Sequence, residues 1–80
     1  MRAARLNSSA IERIAYDEEE ATLSLWFRDS GRYVYYDVPA GLFDALRNAE
    51  SAGRMFAEQI KGRYRCRFDP SRRKFRPAAS

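Results

Sequence analysis

Tyr33-Val34-Tyr35-Tyr36-Asp37-Val38-Pro39 is the stretch whose reading decides the fold. Tyr and Val are strand formers, because branched and aromatic side chains fit a half-buried pleated surface. Successive strand side chains point to opposite faces, so Val34, Tyr36 and Val38 share one face and Tyr33, Tyr35 and Asp37 the other. Pro39 has a fixed φ and no backbone donor, which suits the first turn of a helix. Sheet is therefore expected before Pro39 and helix after it.

Moving back along the chain, Thr22-Leu23-Ser24-Leu25-Trp26-Phe27-Arg28 alternates, with Leu23, Leu25 and Phe27 on one face and Ser24, Trp26 and Arg28 on the other. Asp29-Ser30-Gly31 is a turn signal, so these two strands form a hairpin. Ile11 to Tyr16 is a first strand of uneven pattern. Asp17-Glu18-Glu19-Glu20 reads as a solvated hairpin loop, since calcium loops space their ligands and include a turn-making Gly. Residues 1–7 are expected to fray, and their lack of an apolar core argues against a secretory signal.

Moving forward, Leu42, Phe43, Leu46 and Ala49 recur at helical spacing. Ser51 is a candidate N-cap for a second helix carrying Met55, Phe56 and Ile60, and Gly62 is placed to end it. Arg63-Tyr64-Arg65-Cys66-Arg67-Phe68 alternates basic and apolar residues, as a short edge strand would. The expected class is α+β: a small antiparallel sheet of three strands, with a fourth available, covered on one face by two short helices in the order β-β-β-α-α(-β). The domain spans 8–68, and residues 69–80 form a basic tail with little to bury, for which disorder is expected.

Eighty residues suffice for one small domain. No apolar run approaches the roughly 20 residues of a spanning helix, so no membrane role and a cytoplasmic location are expected. Residues 1–60 carry seven Arg against ten Asp or Glu, while residues 61–80 carry eight Lys or Arg against Asp69 alone. Such a basic segment on a mildly acidic body points either to contact with nucleic acid or another anionic surface or to a solubilising tail. There is no His, so the commonest acid–base group is missing. Cys66 lacks a His partner, and a Cys/His metal cluster is excluded by count. Neither catalysis nor a cofactor is expected.

Ser8-Ser9-x-Ile11, Tyr16-Asp17, Leu23-x-Leu25-x-Phe27, Gly31, Tyr33-x-Tyr35, Val38-Pro39, Ala49-x-Ser51-x-Gly53, Phe56, Ile60-Lys61 and Tyr64 together resemble the KTSC domain. That domain is named for the C-terminus of some lysyl-tRNA synthetases and also occurs as a small stand-alone bacterial protein. The resemblance covers roughly residues 8–65. The synthetase association implies RNA binding.

The residues themselves offer an aromatic and basic constellation, the chemistry of single-strand binding, in which bases stack on sheet aromatics and cations track phosphates. Trp26, Tyr33 and Tyr35 are the expected stacking residues, with half-buried packing as the competing reading of the two tyrosines; Arg28, Lys61, Arg63, Arg65 and Arg67 are the expected phosphate contacts; and Arg72, Arg73, Lys74 and Arg76 a further sequence-independent attraction. Hairpin register decides whether the tyrosines are exposed. A two-residue loop at Ser30-Gly31 pairs Trp26 with Tyr35 and Arg28 with Tyr33 on an open face. A three-residue loop, Asp29-Ser30-Gly31, puts both tyrosines with Leu25 and Phe27 and drives Asp37 toward the core. Burial of an unpaired carboxylate is costly, which favours the first register. The expected function is a non-catalytic accessory module for single-stranded or tRNA-like RNA. The alternative is a protein-interaction module that docks a partner chain on the sheet face or edge.

Overall fold

The period-two stretches do become strands, although the last begins only at Cys66 and leaves Arg63 to Arg65 outside it, and a further strand precedes them. The computed structural model describes residues 1–69. Its elements are β1 (Arg2–Arg5), β2 (Ile11–Asp17), β3 (Thr22–Phe27), β4 (Arg32–Tyr35), α1 (Ala40–Asn48), α2 (Ala52–Gln59) and β5 (Cys66–Asp69). The five strands lie in sequence order in one sheet, each antiparallel to its neighbour. The α+β class holds, with both helices packed on one face.

The expectation that residues 1–7 fray is corrected by β1, which pairs with β2 from Arg2↔Tyr16 to Arg5↔Arg13. Arg-Ala-Ala-Arg has no strand-forming side chains; the ladder holds it instead. Arg2 adds ion pairs to Glu18 (3.0 Å) and Asp44 (3.4 Å), which tie the edge to a turn and to α1. The uneven pattern of β2 also has a cause. Ile11 faces Phe27 while Arg13 faces Trp26, a β-bulge at Glu12. The extra residue lets Ile11, Ile14 and Tyr16 all reach the core despite their unequal spacing.

The β3–β4 hairpin departs from the expected register. Leu23 faces Tyr35, Leu25 faces Tyr33, Ser24 faces Val34 and Trp26 faces Arg32. The loop is Arg28-Asp29-Ser30, closed by Phe27 N–H donating to the Gly31 carbonyl (3.3 Å). Tyr33 and Tyr35 thus share the apolar face with Leu23, Leu25 and Phe27, the face assignment of the disfavoured register. The objection to it was a buried Asp37. The chain removes that objection by ending β4 at Tyr35 and turning at Asp37, which has φ 58° and is exposed. Aspartate tolerates this left-handed region better than most residues. Alternation breaks there, so Val38 enters the core with Tyr35 rather than opposite it. Val38 N–H donates to the Ala21 carbonyl (2.9 Å), and its own carbonyl accepts from the buried Tyr16 hydroxyl (2.5 Å).

Pro39 stands at the N-cap of α1 with φ −68°. Ser51 caps α2 by accepting from Arg54 N–H (3.3 Å), and Gly62 follows α2 at φ 77°, a left-handed position that favours glycine. The helices seat Phe43 against Tyr16 (6.4 Å between ring centres) and Phe56 against both Phe27 (5.3 Å) and Tyr35 (5.7 Å). Ile11, Ile14, Leu23, Leu25, Leu46 and Ile60 are fully buried around them. Asp69, assigned from sequence to the tail, is instead the last residue of β5 and pairs with Arg32. The rest of the expected tail, residues 70–80, lies outside the described residues.

Covered and open faces should respond differently to truncation. Tyr35→Ala opens a cavity beside Phe56 and is expected to cost about 3–5 kcal/mol, the range for large aromatics in cores. Trp26→Ala on the other face should cost roughly 1 kcal/mol, the scale of an exposed cation–π contact. Urea unfolding of the two variants checks the assignment; equal losses would contradict it.

Candidate functional site

With both helices on one face, the other face of the sheet carries its own pattern. Reading across the strands by register, Arg5, Arg13, Trp26, Arg32 and Asp69 form one row. The next row is Ala3, Ala15, Ser24, Val34 and Arg67. Four of its five members are small or branched, so it forms a low floor beside the first row. Val34 is buried yet stands apart from the main core cluster, as its position on this face requires.

Two aromatic rings on this face are each held by two arginines. The Trp26 ring has the Arg13 guanidinium 4.7 Å and the Arg32 guanidinium 5.6 Å from its centre. A cation over an indole is attracted by the negative face of the ring. Arg32 also pairs with Asp69, which orients it from the β5 side. The second ring is Tyr36. Arg65 lies 5.3 Å from its centre, and Arg67 Nε donates to its hydroxyl (3.2 Å). That hydrogen bond raises the Arg67 pKa further, with the field of Tyr36 adding to it, so the cation is secure at any physiological pH.

The bulge at Glu12 matters here, because it sets Arg13 opposite Trp26. The left-handed Asp37 matters too: β4 keeps its alternation only through Tyr36, which faces away from the helices. On this face five arginines (Arg5, Arg13, Arg32, Arg65 and Arg67) stand against the carboxylates of Asp17 and Asp69 and that of Glu12, beside Arg13 at the bulge. Asp17 is engaged in its own turn, its Oδ1 accepting from Glu19 N–H (3.0 Å) and Glu20 N–H (3.3 Å). The surface is cationic, aromatic and open.

Of the residues expected from sequence, Trp26, Arg65 and Arg67 meet on this face. Tyr33 and Tyr35 do not: they lie under the helices. Tyr33 packs edge-on to Phe27 (5.4 Å) and against Phe68 (4.9 Å), and burial, with a hydrogen bond to Cys66, pushes the Tyr35 hydroxyl well above its ordinary pKa. Arg28 is spent on the β1–β2 connection, its Nε donating to the Ser8 carbonyl (2.9 Å). Arg63 donates from Nε to the Glu58 carbonyl (3.1 Å) beyond α2, and Lys61 is exposed in the same turn. Arg72, Arg73, Lys74 and Arg76 lie outside the described residues. Sequence reasoning missed Arg5, Arg13, Arg32 and Tyr36. Arg32 and Tyr36 share period-two parity with Val34, and that signal would have placed them had the register been right. Among the described residues no group of three or more Cys, Asp or Glu side chains converges to hold a metal ion, and no helix is long and apolar enough to cross a membrane.

The family model of the KTSC domain matches residues 7–64. A protein of Tsukamurella paurometabola is 45% identical over 60 residues, which is 75% of this chain and 90% of that protein. A lysine–tRNA ligase of Nostoc punctiforme is 33% identical over 57 residues, 71% of this chain but 10% of the ligase. The crystal structure of a KTSC domain protein from Yersinia pestis superposes with a TM-score of 0.81 at 35% identity, covering 85% of this chain and 96% of that one.

Trp26 is the single tryptophan, so its fluorescence reports on the cationic row. Arg13→Gln is expected to leave the fold intact, cost about 0.5–1 kcal/mol, and raise acrylamide quenching of Trp26 by uncovering its ring. Unchanged quenching would show that Arg13 does not rest on the indole in solution.

Proposed function

The chain belongs to the KTSC domain family, and on that premise we propose that it is a non-catalytic RNA-binding module that holds single-stranded RNA across its open sheet face. The observation that carries this reading is the row Arg5–Arg13–Trp26–Arg32, in which an aromatic ring is flanked by guanidinium groups on a face that no helix covers among the described residues. Single-strand binders combine these two elements: a ring on which any base stacks, and cations that follow the phosphates. Guanidinium planes also stack on bases, so a base docks either on the Arg13 plane or on the indole after Arg13 swings to a phosphate. Tyr36 with Arg65 and Arg67 supplies a second such position. Similarity to a stretch of a lysine–tRNA ligase, a protein whose name ties it to tRNA, supports the same ligand class. The reading places the protein in the cytoplasm, where RNA is available.

The roles divide cleanly between ring and charge. Arg5, Arg13, Arg65 and Arg67 meet phosphates, while Arg32 is engaged with Asp69 and positions the indole. Four phosphate contacts on a single strand give a log–log salt slope of about −3, from roughly −0.7 per contact. Trp26→Ala should weaken binding of a short oligouridylate by roughly 5- to 150-fold, the equivalent of about 1–3 kcal/mol per stacked base, and leave the salt slope unchanged. Arg67→Gln should instead make the slope shallower by about 0.7. Tyr33→Phe should change neither quantity. Fluorescence anisotropy of a labelled oligonucleotide across a salt series measures all three. Folded Trp26→Ala protein with wild-type affinity would overturn the stacking role and leave a protein partner as the better reading of this face.

A further inference from the structure

A cleft of about 460 Å³ opens at the β1 edge of the sheet, between the β1–β2 connection and the joint of α1 with α2. Its size falls in the range of small-ligand sites. Its lining is mainly polar: Arg5 and Arg47 give it a cationic rim, the Arg47 guanidinium also pairing with Asp44 (3.6 Å), while Leu6 and Ala49 add a narrow apolar strip, Leu46 and Ala52 being buried. Asn7, Ser9, Glu50 and Ser51 add neutral and acidic hydrogen-bonding groups.

The walls of the cleft are pre-set. Ser8 Oγ accepts from both Ala10 N–H and Ile11 N–H (3.1 Å each), fixing the β1–β2 connection as a turn. Arg28 holds the same connection through the Ser8 carbonyl (2.9 Å). The opposite wall is fixed by the Ser51 cap of α2, and the two walls approach closely, since a Cβ on Gly53 would lie 3.7 Å from that of Ala10. Two stretches that carried the family resemblance and that the open face does not use, Ser8-Ser9 and Ala49-x-Ser51-x-Gly53, therefore meet around this one space.

Arg5 belongs both to the cationic row of the open face and to the rim of the cleft. A strand lying across the row from β4 toward β1 is delivered to the cleft mouth. We propose that the cleft binds a nucleoside monophosphate unit: the phosphate at Arg5 and Arg47, the ribose and the polar edge of the base at Asn7, Ser9, Glu50 and Ser51, and the base only flanked by Leu6 and Ala49. The chemistry is shared by the terminal nucleotide of a bound RNA and by a free mononucleotide. This proposal deepens the RNA-binding reading and rests on it for the first source only.

The test uses the full chain and two probes, adenosine monophosphate alone and an oligouridylate in linear and circular form. Arg47→Gln removes a rim cation that is absent from the open face, and Ser9→Phe fills the mouth from an exposed position; thermal unfolding confirms that both variants fold. Adenosine monophosphate is expected to shift the backbone amides of Asn7, Ser9, Ala49 and Ser51, and both variants should lose those shifts. Linear RNA should bind wild type about 5- to 10-fold tighter than circular RNA, the contribution of one charge-assisted contact, and that advantage should vanish in Arg47→Gln. Nucleotide shifts in the cleft with equal affinity for linear and circular RNA assign the site to free nucleotides. No nucleotide shifts, with linear and circular RNA bound alike, overturn the cleft proposal. Loss of RNA affinity in Trp26→Ala then still upholds the open-face reading. Nucleotide shifts in a chain that binds neither RNA overturn the open-face reading and keep the cleft.

Discussion

The left-handed backbone at Asp37 is the constraint on which the arrangement of this molecule depends. The chain leaves β4 after Tyr35, turns at Asp37 with φ 58° and re-enters the core at Val38. Uninterrupted alternation would force a choice between burying Tyr35 and burying Val38. The turn at Asp37 allows both, and it leaves the carboxylate in solvent. The Tyr16 hydroxyl then closes on the Val38 carbonyl, so the exit from β4 is tied to β2 from inside. Once Tyr33 and Tyr35 lie under the helices, Trp26, Arg32 and Val34 must lie on the other side. One residue in an uncommon conformation thereby decides which aromatic groups face water.

That residue also explains the limits of legibility. The elements with strong local chemistry were readable: Leu23-x-Leu25-x-Phe27 as a strand, Ser51 as a cap, Gly62 as a stop, and helices on a single face. The register was not, because the penalty for burying Asp37 was weighed for a strand that continued to Val38. A strand of seven residues makes that penalty decisive; a strand that stops at Tyr35 removes it. The second hidden feature is the bulge at Glu12, which turns an irregular Ile11, Ile14, Tyr16 spacing into a consistent core face. The third is β1, whose small and basic residues carry no propensity and which is ordered by its partner strand. All three are tertiary solutions to local conflicts.

The candidate site follows from the same three features. The bulge supplies Arg13 over the Trp26 ring, β1 supplies Arg5, and the turn at Asp37 leaves Tyr36 facing outward. The aromatic and basic character anticipated from composition is present, but the residues that supply it are largely different. The basic density that the sequence shows after residue 60 contributes Arg67 through β5 and Arg65 just before it. The other arginines of the face come from β1, β2 and β4, within residues 1–60, whose seven Arg against ten Asp or Glu give no hint of a cationic patch. A sheet face gathers its charge from alternate residues of separate strands, so linear charge counts are a poor guide to it.

The central claim is that RNA is met by the open face and not by the tyrosines beneath the helices. Titration of the isotopically labelled protein with a short unstructured RNA, followed residue by residue through backbone amide and Trp26 indole signals, tests it most directly. The account predicts progressive shifts at Arg5, Arg13, Trp26, Arg32, Tyr36 and Arg67, with Leu23, Leu25, Phe43 and Phe56 unmoved. Shifts confined to residues 70–80, or a spectrum that RNA leaves unchanged, would contradict it.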